Sequence, residues 1–365
     1  MKYKFRYKSV WVCLFAMAVS LMSPFSLCAS ANEVKRGAKL LDTAGQYGYY
    51  SYDLETGEET YVPASEYAPD LDDSEDPVVI PSHPASPEVL QNELTEYYEN
   101  DYPGIDQEAP DVTPGVKAPR VVIPPDDRRA VYSTGYEQYS STCLIVARFA
   151  NGEKEYGTGF LVDGYHVLTA GHVVYTADDG KAIRCAVYAG SNNGTYKKYS
   201  LSHVIELGGH YKDNCDSETA YFNRGMYDDW AILECENYMG GVGSMGVIAV
   251  NNGWDVYGEE FSSQGYPRDL NEPDFGYGGN TEYIRYRMYA CSGTVQGDGG
   301  EPQTRYLDLA TIDIDLAPGQ SGSPVYRNIG GDYYASAIMV AENQGQLYNY
   351  AILITDWLAN AINRL

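Results

Sequence analysis

Gly319-Gln320-Ser321-Gly322-Ser323-Pro324, close to the C-terminus, decides the reading of this chain. A serine hydroxyl is a weak nucleophile at neutral pH. Acyl transfer from it needs an imidazole to take its proton and a carboxylate to hold that imidazole in one tautomer. Both residue types stand upstream, at Thr169-Ala170-Gly171-His172 and at Asp228-Asp229-Trp230-Ala231-Ile232. The order along the chain is base, acid, nucleophile, with 57 residues from His172 to Asp229 and 92 from Asp229 to Ser321. Each interval has room for several strands, so each group is expected on a different loop of a β-rich scaffold.

That order excludes the Gly-x-Ser-x-Gly elbow of α/β-hydrolases, where the serine precedes acid and histidine; here the histidine comes first and position 323 is Ser323. His172, Asp229 and Ser321 instead resemble, in order and local sequence, the triad of the chymotrypsin-like serine proteases. Asp229-Trp230-Ala231-Ile232 is similar to that group's acid followed by an apolar residue, alanine and an aliphatic; the adjacent Asp228 is the alternative acid. The resemblance implies an all-β fold of two packed antiparallel β-barrels with the active site between them and a C-terminal helix. It also implies a serine endopeptidase that works through an acyl-enzyme. Gly319 permits a backbone turn in which the amides of Gly319 and Ser321 face a developing oxyanion. Gly265-Tyr266-Pro267 resembles a segment that shapes the cleft in the same group. An intact triad counts against the other reading, an inactive homologue serving as a secreted binding protein with its 36 tyrosines as contact surface.

Short runs rich in β-branched and aromatic residues support the all-β expectation. They include Cys143 to Phe149, Gly157 to Val162, His166 to Thr169, Cys185 to Tyr188, Trp230 to Leu233, Val247 to Val250, Tyr283 to Tyr289, Tyr306 to Leu316, Ser323 to Tyr326 and Tyr334 to Val340, punctuated by glycine and asparagine. No long amphipathic helix separates them, which indicates a sandwich or barrel. One helix is expected, capped by Thr355, with Trp357, Leu358, Ala361, Ile362 and Leu365 on one face.

The N-terminal third reads differently. Lys2, Lys4, Arg6 and Lys8, an apolar run from Trp11 to Met22, and Ala29-Ser30-Ala31 have the layout of a secretion signal over residues 1–31. The expected product is secreted, with no membrane association after signal removal. Residues 32–120 are acidic and Pro-rich, as in Asp70-Leu71-Asp72-Asp73-Ser74-Glu75-Asp76, and lack long apolar periodicity, so they are expected to be largely disordered. Within them only Ser86-Pro87-Glu88-Val89-Leu90 carries helix-start signals. The net charge of −26 gives no electrostatic footprint for nucleic acid or an anionic membrane.

At the junction the chain runs Pro119-Arg120-Val121-Val122-Ile123-Pro124-Pro125-Asp126-Asp127-Arg128-Arg129. This resembles the mature start of secreted bacterial glutamyl endopeptidases. The resemblance implies a zymogen in which residues 32–120 are a propeptide, an activating protease cuts after Arg120, and the new Val121 terminus helps to form the substrate pocket of a domain spanning 121–365. Cuts after Arg128 or Arg129 are the alternatives. The same group carries a threonine five residues before the nucleophile and a later histidine, both gripping a substrate glutamate. Here the first position is Leu316, and no histidine follows His210. A carboxylate buried against leucine without a partner costs several kcal/mol, so Leu316 argues against glutamate preference before the scissile bond. Protein or peptide is the expected substrate. No cofactor or metal is implied, a monomer is expected, and the five cysteines beyond the signal allow at most two disulfides.

Overall fold

The computed structural model describes residues 48–66, 77–91, 123, 125–223, 225–251, 253–271, 286–298, 309–341 and 348–365. The signal, Arg120 and Val121 lie outside the described residues. The strands preceding the first barrel are β1 (Tyr49–Asp53), β2 (Glu59–Val62), β3 (Val79–Ile80) and β4 (Arg129–Ala130). There follow β5 (Thr142–Phe149), β6 (Lys154–Leu161), β7 (His166–Ala170), β8 (Tyr175–Thr176), β9 (Gly180–Ala189), β10 (Lys198–Gly208) and β11 (Trp230–Cys235). The remainder are β12 (Gly246–Ile248), β13 (Glu260–Gly265), β14 (Tyr289–Asp298), β15 (Leu309–Ile312), β16 (Pro324–Ile329), β17 (Asp332–Ala341) and β18 (Asn349–Leu353).

Two six-stranded antiparallel barrels result. The first closes in the order β10-β11-β7-β6-β5-β9, with β9 pairing back to β10; the second closes as β16-β13-β14-β15-β18-β17, with β17 pairing back to β16. The period of two along a strand explains the packing on β5. Cys143, Ile145, Ala147 and Phe149 enter the large core cluster that fills the first barrel. The alternate Leu144 and Val146 join Tyr266, Tyr286 and Met288 in a separate cluster, which brings residues before β5 and after β13 onto the outer face of the first barrel. Phe261, Ile312, Ile314, Leu316 and Leu353 fill the second. The helix Asp356–Asn363 is capped as expected, Thr355 Oγ1 accepting from the Leu358 amide at 3.4 Å, and it buries Leu358, Ala359, Ala361 and Ile362. Leu365, expected on that face, is exposed.

The two-residue β4 and β8 escape the sequence patterns, β14 begins at Tyr289 where the expected run ended, and three longer strands escape as well. β10 carries an irregularity between Ser202 and Val204 that breaks its alternation, β13 is mostly polar, and β18 follows residues outside the description. The expectation of no ordered core in 32–120 is also corrected. β1 adds to the edge of β10, β2 lies outside it, β3 pairs with β12, and a short helix forms at Pro87–Gln91 where Ser86 and Pro87 signalled it. Tyr49 and Tyr52, three apart and so on opposite faces of β1, are both buried with the first core cluster, because pairing with β10 covers a five-residue strand that cannot bury them alone. All five described cysteines are free thiols.

Candidate active site

β7 ends at Ala170, and one helical turn, Gly171–Val173, carries His172. β11 pairs with β7 so that Trp230 faces Ala170, which sets Asp229 beside the turn. The Gly171 amide donates to the Asp229 carbonyl at 3.1 Å, and a β-carbon on Gly171 would come within 2.9 Å of Asp229 Oδ1. The Asp229 carboxylate is fully buried. Its Oδ1 accepts from the His172 amide at 2.7 Å; its Oδ2 accepts from His172 Nδ1 at 2.7 Å and from the Tyr221 hydroxyl at 2.7 Å. An ionised carboxylate only accepts, so Nδ1 carries the proton and Nε2 presents its lone pair. Burial works against the imidazolium, but the Asp229 charge, its hydrogen bond and the Glu155 carboxylate together raise the His172 pKa above the ordinary imidazole value.

Asp228 points elsewhere. Its Oδ2 accepts from the His210 amide at 2.8 Å and its Oδ1 from the Trp230 indole. The two neighbouring carboxylates therefore divide their tasks: Asp229 meets His172, while Asp228 ties the helix Gly209–Asp213 to β11.

Ser321 lies on the loop before β16. Gly319 has φ +93°, and a β-carbon there would lie 2.4 Å from the Tyr266 carbonyl oxygen. Conformation and space both demand glycine. The Gln320, Gly322 and Ser323 amides donate to Ala317, Met339 and Gln320 carbonyls. Among the described residues the Gly319 and Ser321 amides donate to none. The Ser321 hydroxyl likewise makes no hydrogen bond to a described group, so it does not reach His172 at hydrogen-bond distance; such pairs are often looser before substrate binds. The loop nevertheless abuts the strand that carries the histidine: a β-carbon on Gly322 would sit 2.1 Å from the Thr158 carbonyl oxygen and 2.8 Å from the Ala170 nitrogen.

Thr158, missed by sequence reading, joins these parts. Fully buried on β6, it donates its amide to the Ser321 carbonyl at 2.8 Å and its hydroxyl to the Gly319 carbonyl at 2.8 Å. Its hydroxyl also accepts from the Tyr266 amide at 3.1 Å, and its carbonyl accepts from the Thr169 hydroxyl at 2.7 Å. One residue of the first barrel thus pins the loop of the second that carries Ser321, at Gly319 and at Ser321. Only its place in Gly157-Thr158-Gly159 hinted at a tight approach.

The chain just after the junction anchors the same loop. The Asp315 carboxylate accepts the amides of Ile123 at 2.8 Å and Asp127 at 2.9 Å, and burial pushes its pKa up to about 6. The buried Arg128 guanidinium pairs with Asp269 at 2.9 and 2.7 Å and with Asp126, and donates to the Gln320 side chain at 3.3 Å. A cavity of about 300 Å³ is lined here by Ile123, Asp127, Glu260, Asp313 and Asp315. Leu316, read from the sequence as a pocket residue, does not line it. Leu316 is 2% exposed in the core of the second barrel, where its burial contributes about 1.5–3 kcal/mol.

Residues 157–332 match the family model of the trypsin-like peptidase domain. A Bacillus subtilis (strain 168) protein named extracellular metalloprotease is 28% identical over 251 residues, covering 67% of this chain and 69% of its own length. A solved Glu endopeptidase superposes with a TM-score of 0.52 at 22% identity, covering 67% of this chain and 98% of its own. A thermostable serine protease, AL20 from an extremophilic microorganism, superposes at 0.45 with 14% identity over 63% of this chain and 99% of its own. The metal in the Bacillus protein's name finds no counterpart in the donor set: among the described residues no group of three or more His, Cys, Asp or Glu is placed to hold an ion, and His172 Nδ1 is committed to Asp229. The described residues do not fit a metal centre. Residues 157–332 thus match a trypsin-like peptidase domain on two closed six-stranded barrels of the chymotrypsin-like fold, and the activity that goes with the match is that of a serine endopeptidase.

Proposed function

We propose that His172, Asp229 and Ser321 are the base, acid and nucleophile of this peptidase. The observation that carries the assignment is the twofold grip of Asp229 on the backbone and Nδ1 of His172, which leaves Nε2 as the acceptor. Ser321 Oγ attacks the peptide carbonyl as Nε2 takes its proton, and the amides of Gly319 and Ser321 receive the oxyanion. The imidazolium returns the proton to the leaving amine, and the C–N bond breaks to leave an acyl-enzyme. Water, deprotonated by Nε2, hydrolyses the ester and restores the serine. Asp229→Asn leaves the wrong tautomer facing Ser321 and is expected to lower kcat by on the order of 10⁴. Asp228→Asn is expected to keep most of kcat and to lower Tm, because the amide oxygen can accept from only one of the His210 amide and the Trp230 indole. Equal, mild losses in both variants refute the assignment.

The enzyme is secreted as a zymogen and activated by cleavage after Arg120. The layout of residues 1–31 and the word extracellular in the Bacillus relative's name support export. The buried, multiply paired Arg128 guanidinium supports Arg120 over a cut after Arg128, because a protease that cuts after arginine must first receive that side chain. Substrates with glutamate before the scissile bond are disfavoured. Leu316 stands where the glutamyl endopeptidases carry a threonine, and no histidine follows His210 to grip a substrate carboxylate. A peptide library cleaved only after glutamate contradicts this preference.

A further inference from the structure

The segment expected to be discarded on activation is built into both barrels. On the first, β1 pairs antiparallel with β10 from Tyr49↔Gly208 to Asp53↔Val204. β10 bends: its first half closes the barrel against β9, and its second half has β1 there instead. Without β1, the stretch Val204 to Gly208 is an open strand edge, which folded proteins keep covered. Tyr49 and Tyr52 are buried on opposite faces of β1; Tyr49 meets Trp230, the residue after Asp229, edge-on at 6.2 Å, and Tyr52 stacks with Tyr50. Outside the barrel, Lys212 lies over the Tyr50 ring and forms an ion pair with Glu59, while the Tyr50 hydroxyl donates to Asp213 at 3.2 Å.

A second anchorage crosses the other barrel. β3 pairs with β12, and the Val78 amide donates to Asp356 Oδ1 at 2.8 Å, at the start of the C-terminal helix. His83 and Ser244 exchange backbone hydrogen bonds at 3.2 and 2.9 Å, and the Ser86 amide donates to the Gly241 carbonyl at 2.7 Å. The largely buried Lys197 extends its ammonium to the Leu90 carbonyl at 2.7 Å. Removing this segment exposes two strand edges and the face around Trp230, and strips a buried ammonium of one acceptor.

We infer that residues 48–66 and 77–91 are a permanent strap of the mature enzyme, held non-covalently across the β10 and β12 edges after the backbone is cut between 91 and 123. The inference rests on the zymogen reading only for the natural cut. The contacts that hold the strap do not involve the cut itself.

The test purifies the secreted, active protein by native size exclusion, then denatures it and measures intact masses, with fluorophosphonate labelling counting active enzyme. The expected result is a fragment containing residues 48–91, one per labelled peptidase chain. A single unbroken, fully active chain refutes the zymogen reading but leaves the strap testable. That protein is then nicked by a brief trypsin digest at Lys117 or Arg120 and passed over the same column, where co-elution of the fragment supports the strap. A fully labelled peptidase that has lost the fragment, by either route, overturns it. Tyr49→Ser/Tyr52→Ser is expected to reduce the retained fragment severalfold in the nicked protein. Should that variant fail to fold, the wild-type masses alone decide.

Discussion

Around His172 two side chains that no motif marks tune the base. Tyr221 adds a third donor to Asp229, from a helix, Glu218–Asn223, outside both barrels. A hydrogen bond to a charged group contributes about 1.5–3 kcal/mol, so Tyr221→Phe is expected to lower kcat roughly tenfold with KM unchanged. A loss confined to Tm, with kcat intact, shows that the hydroxyl serves only the fold. Glu155 acts by charge. Its anion helps to keep the His172 pKa above the ordinary value, and the base works only when neutral, so kcat/KM falls as pH drops through that raised value. Glu155→Gln removes the anion and is expected to move the acid limb of the profile to lower pH; an unmoved limb contradicts the coupling. His172 and Ser321, the proposed base and nucleophile, stand out in the sequence because local motifs mark them. Tyr221 and Thr158 were not, because their roles consist of contacts formed only once distant strands have met: Thr158 and Ser321 share a hydrogen bond across the two barrels.

At the scale of elements, β1 and β10 meet around Glu206, a buried carboxyl whose pKa burial pushes up to about 7. His166 of β7, the Tyr49 hydroxyl of β1 and Arg364 beyond the terminal helix pull the other way, and Glu234 of β11 adds to the rise. Losing β1 returns Glu206 towards water and an ordinary carboxyl pKa of about 4.3. A group raised in the assembled state favours assembly fully below its free value and loses that contribution as pH climbs through the raised one. Nicked enzyme is therefore expected to retain its strap better at pH 5 than at pH 8, and Glu206→Gln is expected to flatten the difference. Equal retention at both values contradicts the linkage, read by the amount of co-eluting fragment. The strap itself was illegible because composition averages over the zone: Asp70 to Asp76 and the prolines dominate 32–120, while Tyr49–Asp53 is five residues whose stability lies in β10. β10 was hidden in turn by its own irregularity.

The whole molecule is two barrels meeting at a seam where each supplies part of the chemistry. The first barrel contributes His172 and Asp229 on adjoining strand ends; the second contributes the Ser321 loop, pinned by Thr158 from the first and by Arg128 from the segment that follows the junction. This division was readable from chain order, since His172 and Asp229 precede the point at which one barrel gives way to the other and Ser321 follows it. Leu316 is apolar and near Ser321 in sequence, and alternation along the chain turns it into the core of the second barrel. The most direct measurement is active-site labelling of the processed protein with a fluorophosphonate, followed by mass mapping of the modified peptide. The account predicts one phosphonyl group per chain, on Ser321, with labelling abolished by Ser321→Ala and slowed by Asp229→Asn but not by Asp228→Asn. Labelling at another residue, or none on processed protein with an intact fold, contradicts it.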